Sequence, residues 1–413
     1  MRCGIAAFLC AALLPATSHA AGADPLRSHQ WGLDLIHADQ AHAVTTGAGA
    51  VVAVVDTGID ASHPDLAGRI GPGWDFVDGD ATPQDGNGHG THVSGIVAAD
   101  AGNGIGVDSV APGARTMPVR VLDANGSGSD ANVAAGIDWA TDHGADVINL
   151  SLGGTLPTSG LGMQDAISAA IQHALDQGVV VVAAAGNDGL PFCENNSFGG
   201  KVLCVGAVDK RQSRSFYSSF GSGVSLVAPG GSDLPGTDED VLSTWNDGGY
   251  QELAGTSQAI PHVSGVAALL VSLGVRGQAA VQRILATATN IGPSAVYGAG
   301  LVNAQAAVAG LRPVAGGGGA GGGNARAHVA LARRMRIRTV LRHGIRLRCS
   351  SHCTGVARYR KVRVARGSNP ALKLSHRGRR TLKAAMRAHR RVHLVVTVRL
   401  AGVRVKRRLL LVP

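Results

Sequence analysis

AVVAVVD, residues Ala50 to Asp56, is the stretch on which the fold turns. It is a short, unbroken, β-branched run that ends on an acid. A strand with one solvated face alternates apolar with polar residues, whereas a continuous apolar run fits a strand covered on both faces. Two further runs read the same way: Asp146-VINLSL, and Gly178-VVVVAAA, which leads on to Asn187. Helical patterns lie between them, such as Met163-QDAISAAIQHALDQ, which stops at Gly178. This alternation predicts an α/β architecture on a doubly wound, mostly parallel sheet. Ligands in such sheets bind beyond the carboxyl ends of the strands, where Asp56 and Asn187 fall.

Two helical runs begin among small residues. One, in DGNGHGTHVSGIVAA, has His89 at its head; the other, in LAGTSQAIPHVSG, has Ser257 at its head and continues as VAALLVSLGV. The unpaired N–H groups of a helix's first turn favour negative charge. A lone serine there reads as an N-cap. An acid, a histidine and a serine in separate blocks permit more. A serine hydroxyl is a weak nucleophile until a base takes its proton, histidine does so near neutral pH, and a carboxylate fixes the imidazole tautomer.

The blocks VAVVDTGID, DGNGHGTHVSGIVAA and GTSQAIPHVSG, with AAAGND around Asn187, resemble those of the subtilases, subtilisin-like serine proteases of the S8 type. The resemblance spans roughly Trp31 to Leu311. It implies Ser257 as nucleophile, His89 as general base and acid, and Asp56 as its orienter. Asn187 and the Ser257 backbone N–H would then hold the oxyanion. His92 and His262 are expected to be packing or hydrogen-bonding residues. In SHPDL, the resemblance implies Asp65 as a structural calcium ligand, with a loop near Asn103. Gly126-Ser127-Gly128 and Ser151-Leu152-Gly153 resemble the edges that flank an extended peptide, which gains affinity from main-chain hydrogen bonds. Gln258 stands where many relatives have Met, which removes an oxidisable sulfur. The long inhibitory pro-segment of the family finds only about ten residues between Ala20 and Trp31, so the maturation route stays open.

Composition divides the chain. Its 413 residues suffice for one large and one small domain. From Asn324 onward there are 26 Lys and Arg and no acid; the rest holds 12 basic and all 28 acidic residues. The expected organisation is a signal peptide at 1–20, a catalytic domain at 21–312, a Gly-rich linker at 313–324 and a basic, β-rich domain at 325–413. No segment after the leader is long and apolar enough to span a bilayer. Cys193 with Cys204 and Cys349 with Cys353 form two local pairs, and an even count in a secreted chain suggests disulfides. A zinc site is the alternative, but the two pairs lie in different segments with different spacing. In the basic domain, Arg alternates with apolar residues in MRIR, IRLRC and VHLVVTVRLAGVRV, a period-two pattern of half-solvated strands. Arg377 to Arg391 has room for a short helix. The expectation is a secreted, monomeric endopeptidase acting on protein or peptide substrates. Its basic domain is expected to meet an anionic cell-surface polymer, and nucleic acid is not expected as a specific partner. The alternative is a surface-adhesion protein in which the basic domain carries the main role.

Overall fold

The computed structural model describes residues 24–152, 164–193, 198, 200–312 and parts of 329–412. The expected signal peptide and linker, and Gly153, lie outside the described residues. The acidic part is built on seven strands: β1 (Val51–Asp56), β2 (Trp74–Asp75), β3 (Arg115–Arg120), β4 (Val147–Leu150), β5 (Val180–Ala184), β6 (Leu203–Val208) and β7 (Leu226–Pro229). Their order in the sheet is β2-β3-β1-β4-β5-β6-β7, and every pairing is parallel. The unbroken apolar runs have the expected cause. Val52, Val147, Val180 and Val182 enter one core, while Ala53, Val55, Ile148 and Val181 enter the other. Alternate residues of a strand face opposite ways, so a strand buried on both sides must be apolar throughout.

The α-helices of the acidic part in chain order are α1 (Trp31–Leu35), α2 (Ala38–His42), α3 (His89–Ala98), α4 (Asp130–Asp142), α5 (Gln164–Asp176), α6 (Thr256–Ser272) and α7 (Gly277–Ala286), followed by two short ones at Ser294–Tyr297 and Ala304–Val308. Helices α3 and α6 pack on the first face, through Ile96 and Val97 and through Ile260, Val263 and Val266. Helices α4 and α5 cover the second, through Val133, Ile137, Ile167 and Ile171. A two-stranded hairpin, β8 (Val241–Thr244) with β9 (Tyr250–Leu253), precedes α6. Cys193 and Cys204 form a disulfide that ties the loop after β5 to strand β6.

The described residues of the basic part include strands and a helix. Strands at Cys353–Tyr359, Val362–Ser368, Ala371–Leu374, Val392–Leu400 and Val403–Val412 belong to one sheet. Val392, Leu394 and Val396 are buried while Val395 between them is exposed. A helix covers His376–Arg387, overlapping the stretch from Arg377 to Arg391. Cys349 and Cys353 lie on strands, but their side chains, and with them the expected pairing, lie outside the described residues.

Candidate active site

Strand β1 delivers Asp56, fully buried, at its carboxyl end. Asp56 Oδ1 accepts the Thr57 N–H at 2.7 Å and meets His89 Nδ1 at 2.8 Å. Since a carboxylate only accepts, Nδ1 carries the proton and Nε2 of the neutral ring is left as the base. Burial disfavours the imidazolium, but the facing Asp56 charge and hydrogen bond outweigh it, so the His89 pKa lies above its usual value.

The turn that presents His89 is held by a residue not singled out from the sequence. Asp85, also buried, accepts from the N–H groups of Asn87 and Gly88 and, through its other oxygen, from the Thr91 N–H and hydroxyl. It also accepts from the Thr57 hydroxyl at 2.9 Å, which joins this cap to the residue after Asp56. The signal was available: an acid just ahead of a helix start is a cap candidate. Gly88, at φ +114°, has no room for a side chain, because a Cβ would lie 2.3 Å from the Trp245 ring.

Helix α6 delivers Ser257 in its first turn, 9% exposed. Its hydroxyl has a long contact, 3.4 Å, with the Ser151 carbonyl. Asn187 follows β5, and its Oδ1 accepts both the Thr256 N–H and the Thr256 hydroxyl, each at 2.9 Å. A backbone N–H can only donate, so the atom it meets is the amide oxygen, and the Asn187 NH₂ is the end left to donate elsewhere. Thr256, which the sequence did not single out, sets that orientation. The Ser151 hydroxyl donates to the Ser257 carbonyl at 2.9 Å, so the end of β4 abuts the head of α6. The Gly126-Ser127-Gly128 segment is an exposed turn closed by Asp123. It reaches the His89 turn through Asn87, whose Nδ2 donates to the Ala124 carbonyl at 3.0 Å.

The two other histidines are buried and neutral. His92 Nε2 donates to the carbonyls of Val241 and Gln251, both at 3.0 Å, and so pins α3 to the hairpin; burial lowers its pKa to about 3. His262 Nδ1 donates to the Gln258 carbonyl at 2.9 Å, and burial lowers its pKa to about 4. Asp65 is also buried, which raises its pKa. It accepts from Asn103 Nδ2 at 2.7 Å, the Val107 N–H at 2.8 Å and the Tyr250 hydroxyl at 3.2 Å. Asp24 accepts the N–H groups of Gly102 and Gly104 from the same loop. Asp24 and Asp65 thus both hold this loop, while Asn103 turns its NH₂ to Asp65 and its oxygen to the Ile105 N–H; carboxylates are the ligand type calcium takes. Elsewhere, Asp39, His42 and Asp108 place ligand atoms within 4.8 Å of one another, but Arg27 already pairs with Asp39 at 2.9 Å.

The chain belongs to the subtilase family, whose model matches residues 47–300. It is 45% identical over 282 residues to thermitase of Thermoactinomyces vulgaris, a match that covers 68% of this chain and 96% of the relative. It is 42% identical over 284 residues to subtilisin Savinase of Lederbergia lenta, covering 68% and 99%. A solved protease structure from Pseudoalteromonas arctica superposes with a TM-score of 0.64 at 34% identity, covering 70% of this chain and 99% of that one. The protein is a subtilisin-like serine endopeptidase, a hydrolase acting on protein or peptide substrates. Adhesion as the chain's main role finds no support among these relatives.

Proposed function

We propose that this endopeptidase is secreted and cleaves peptide bonds through an acyl-enzyme on Ser257. The observation that carries the reading is the 2.8 Å bond between His89 Nδ1 and buried Asp56, which leaves Nε2 as the base. Ser257 Oγ attacks the scissile carbonyl carbon as its proton passes to His89 Nε2, and the carbonyl oxygen becomes the oxyanion. The Asn187 NH₂ and the Ser257 N–H, at the positive end of α6, stabilise that charge. Collapse of the tetrahedral species breaks the C–N bond, and His89 returns the proton to the leaving amine. Water then repeats the sequence and frees the acid. Substrate lies between the Gly126–Gly128 turn and the Ser151–Gly153 edge. A structural calcium would be held by Asp65 beside the loop at Asn103, and would take no part in the chemistry. A serine-reactive fluorophosphonate is expected to label the protein but not Ser257→Ala; undiminished labelling of the variant would place the nucleophile elsewhere.

The basic domain has a second role in this reading, as a dock for an anionic cell-surface polymer. Arg380, Lys383 and Arg387 are exposed on the His376–Arg387 helix while Leu382 is buried. Their spacing of three and four residues sets three cations along one helix face over about 10 Å. The full chain is expected to be retained on a heparin column and to elute earlier after Arg380→Glu, Lys383→Glu and Arg387→Glu together. Unchanged elution would remove this helix from the dock.

A further inference from the structure

Ser257 heads a helix with a proline inside it. In an α-helix the carbonyl of residue i takes the N–H of residue i+4. For Ser257 that residue is Pro261, which has no N–H and whose ring crowds the same carbonyl. The carbonyl therefore loses its helical partner at a buried position, where an unpaired polar group is costly. The Ser151 hydroxyl fills the gap at 2.9 Å.

That hydroxyl is itself directed from behind. Asn149 Nδ2 donates to Ser151 Oγ at 2.8 Å, and the Ser264 hydroxyl donates to Asn149 Oδ1 at 2.8 Å. Asn149 and Ser264 are fully buried and Ser151 is 2% exposed. A serine hydroxyl has one proton. Because Ser151 Oγ accepts from Asn149, its proton is free for the Ser257 carbonyl, and the chain runs one way: Ser264 to Asn149 to Ser151 to Ser257. Ser264 lies seven residues after Ser257 on the same helix, so the relay leaves α6, crosses the end of β4 and returns to α6.

We propose that Ser151 is a positioning residue for the nucleophile. Its hydroxyl replaces the helical hydrogen bond that Pro261 removes, and Asn149 and Ser264 hold it in that orientation. The relay fixes Ser257 through its main chain against the β4 end and leaves Oγ with only the long 3.4 Å contact to the Ser151 carbonyl. This rests on Ser257 being the nucleophile.

The test is a double-mutant cycle on the full mature chain, read by peptide kcat and KM, fluorophosphonate labelling rate and melting temperature. Displacement of a reacting group by about 1 Å costs up to roughly 10² in rate. Ser151→Ala is therefore expected to lower kcat and labelling rate by roughly ten- to a hundredfold with KM within about twofold, while Ser151→Thr keeps the hydroxyl and most of the rate. Pro261→Ala restores an N–H at position 261 and should return most of the lost rate to the Ser151→Ala variant. A double variant no faster than Ser151→Ala, or Ser151→Ala labelling at the parent rate, overturns the proposal. If Ser151→Ala fails to fold, Ser264→Ala decides: slower labelling at an unchanged melting temperature supports the relay, and an unchanged labelling rate sinks it. Loss of labelling in Ser257→Ala beside a negative cycle would reject the relay and keep the nucleophile.

Discussion

Helices α3 and α6 begin alike and are secured differently. Each opens after a glycine, lies on the same face of the sheet and presents a candidate catalytic side chain from its first turn. His89 is gripped by its own ring through Asp56, and its turn is capped by Asp85. Ser257 is gripped by its backbone carbonyl, and its hydroxyl has only a 3.4 Å contact. The difference fits what each group does in the proposed mechanism. A base works through one nitrogen and benefits from a partner fixing the other. A nucleophile has a single reactive atom, and a strong bond to that atom would have to be broken for reaction. Position must then come through the main chain.

The contrast can be broken at its strongest point first. Asp56→Asn keeps the shape but removes the charge facing His89, and kcat is expected to fall about 10⁴-fold, as for the same change in a serine-protease triad of another fold. The pH profile carries the sign. In the proposed mechanism activity requires neutral His89, so the raised pKa is expected to place the acid limb above the usual histidine range; without the Asp56 charge, burial dominates and the limb should move to lower pH. An acid limb unmoved in Asp56→Asn would detach it from His89. Next is the oxyanion side. Asn187→Ala is expected to cost about 10²–10³ in kcat with little change in KM, a magnitude known from subtilisin itself and carried over to this relative. An equal rise in KM would mean that Asn187 binds ground-state substrate instead. The smallest effect concerns the loop behind Asn187. Replacing Cys193 and Cys204 by Ser, in a Ser257→Ala background that prevents self-digestion, should lower unfolding stability by about 3 kcal/mol in the chain-entropy view. An unchanged denaturation midpoint would show that the hydrogen bonds from Gly189 and Cys193 to the 217–222 segment hold the loop alone.

The sequence made some of this plain and hid the rest for physical reasons. Strands β1, β4 and β5 are visible because burial on both faces leaves only apolar residues. Strand β3 is hidden: Arg115-Thr-Met-Pro-Val-Arg120 carries a proline, which argues against a central strand. It is accommodated where the short β2 pairs only with Val119 and Arg120 and stops short of Pro118. Asp56, His89, Asn187 and Ser257 stand out because each sits in a block with a recognisable pattern. Thr256, Asn149 and Ser264 do not, because a polar residue acquires such a role only through partners far along the chain. Asn149 and Ser264 are 115 positions apart. The second cysteine pair and the substrate edge at Gly153 stay expectations of the sequence.

The parallel sheet has a consequence for a population of these molecules. Asp56, Ser151 and Asn187 come from the ends of three neighbouring strands, and Ser151 meets Ser257 across 106 positions of chain. No local fragment contains a site, so activity appears only when the long-range pairings close, which is the slow part of folding such a sheet. Molecules that finish early would then be active proteases in the company of chains still unfolded, whose backbones are open to cleavage. The yield of mature enzyme is therefore expected to fall as chains fold at higher concentration, the earliest folders setting the losses of the rest.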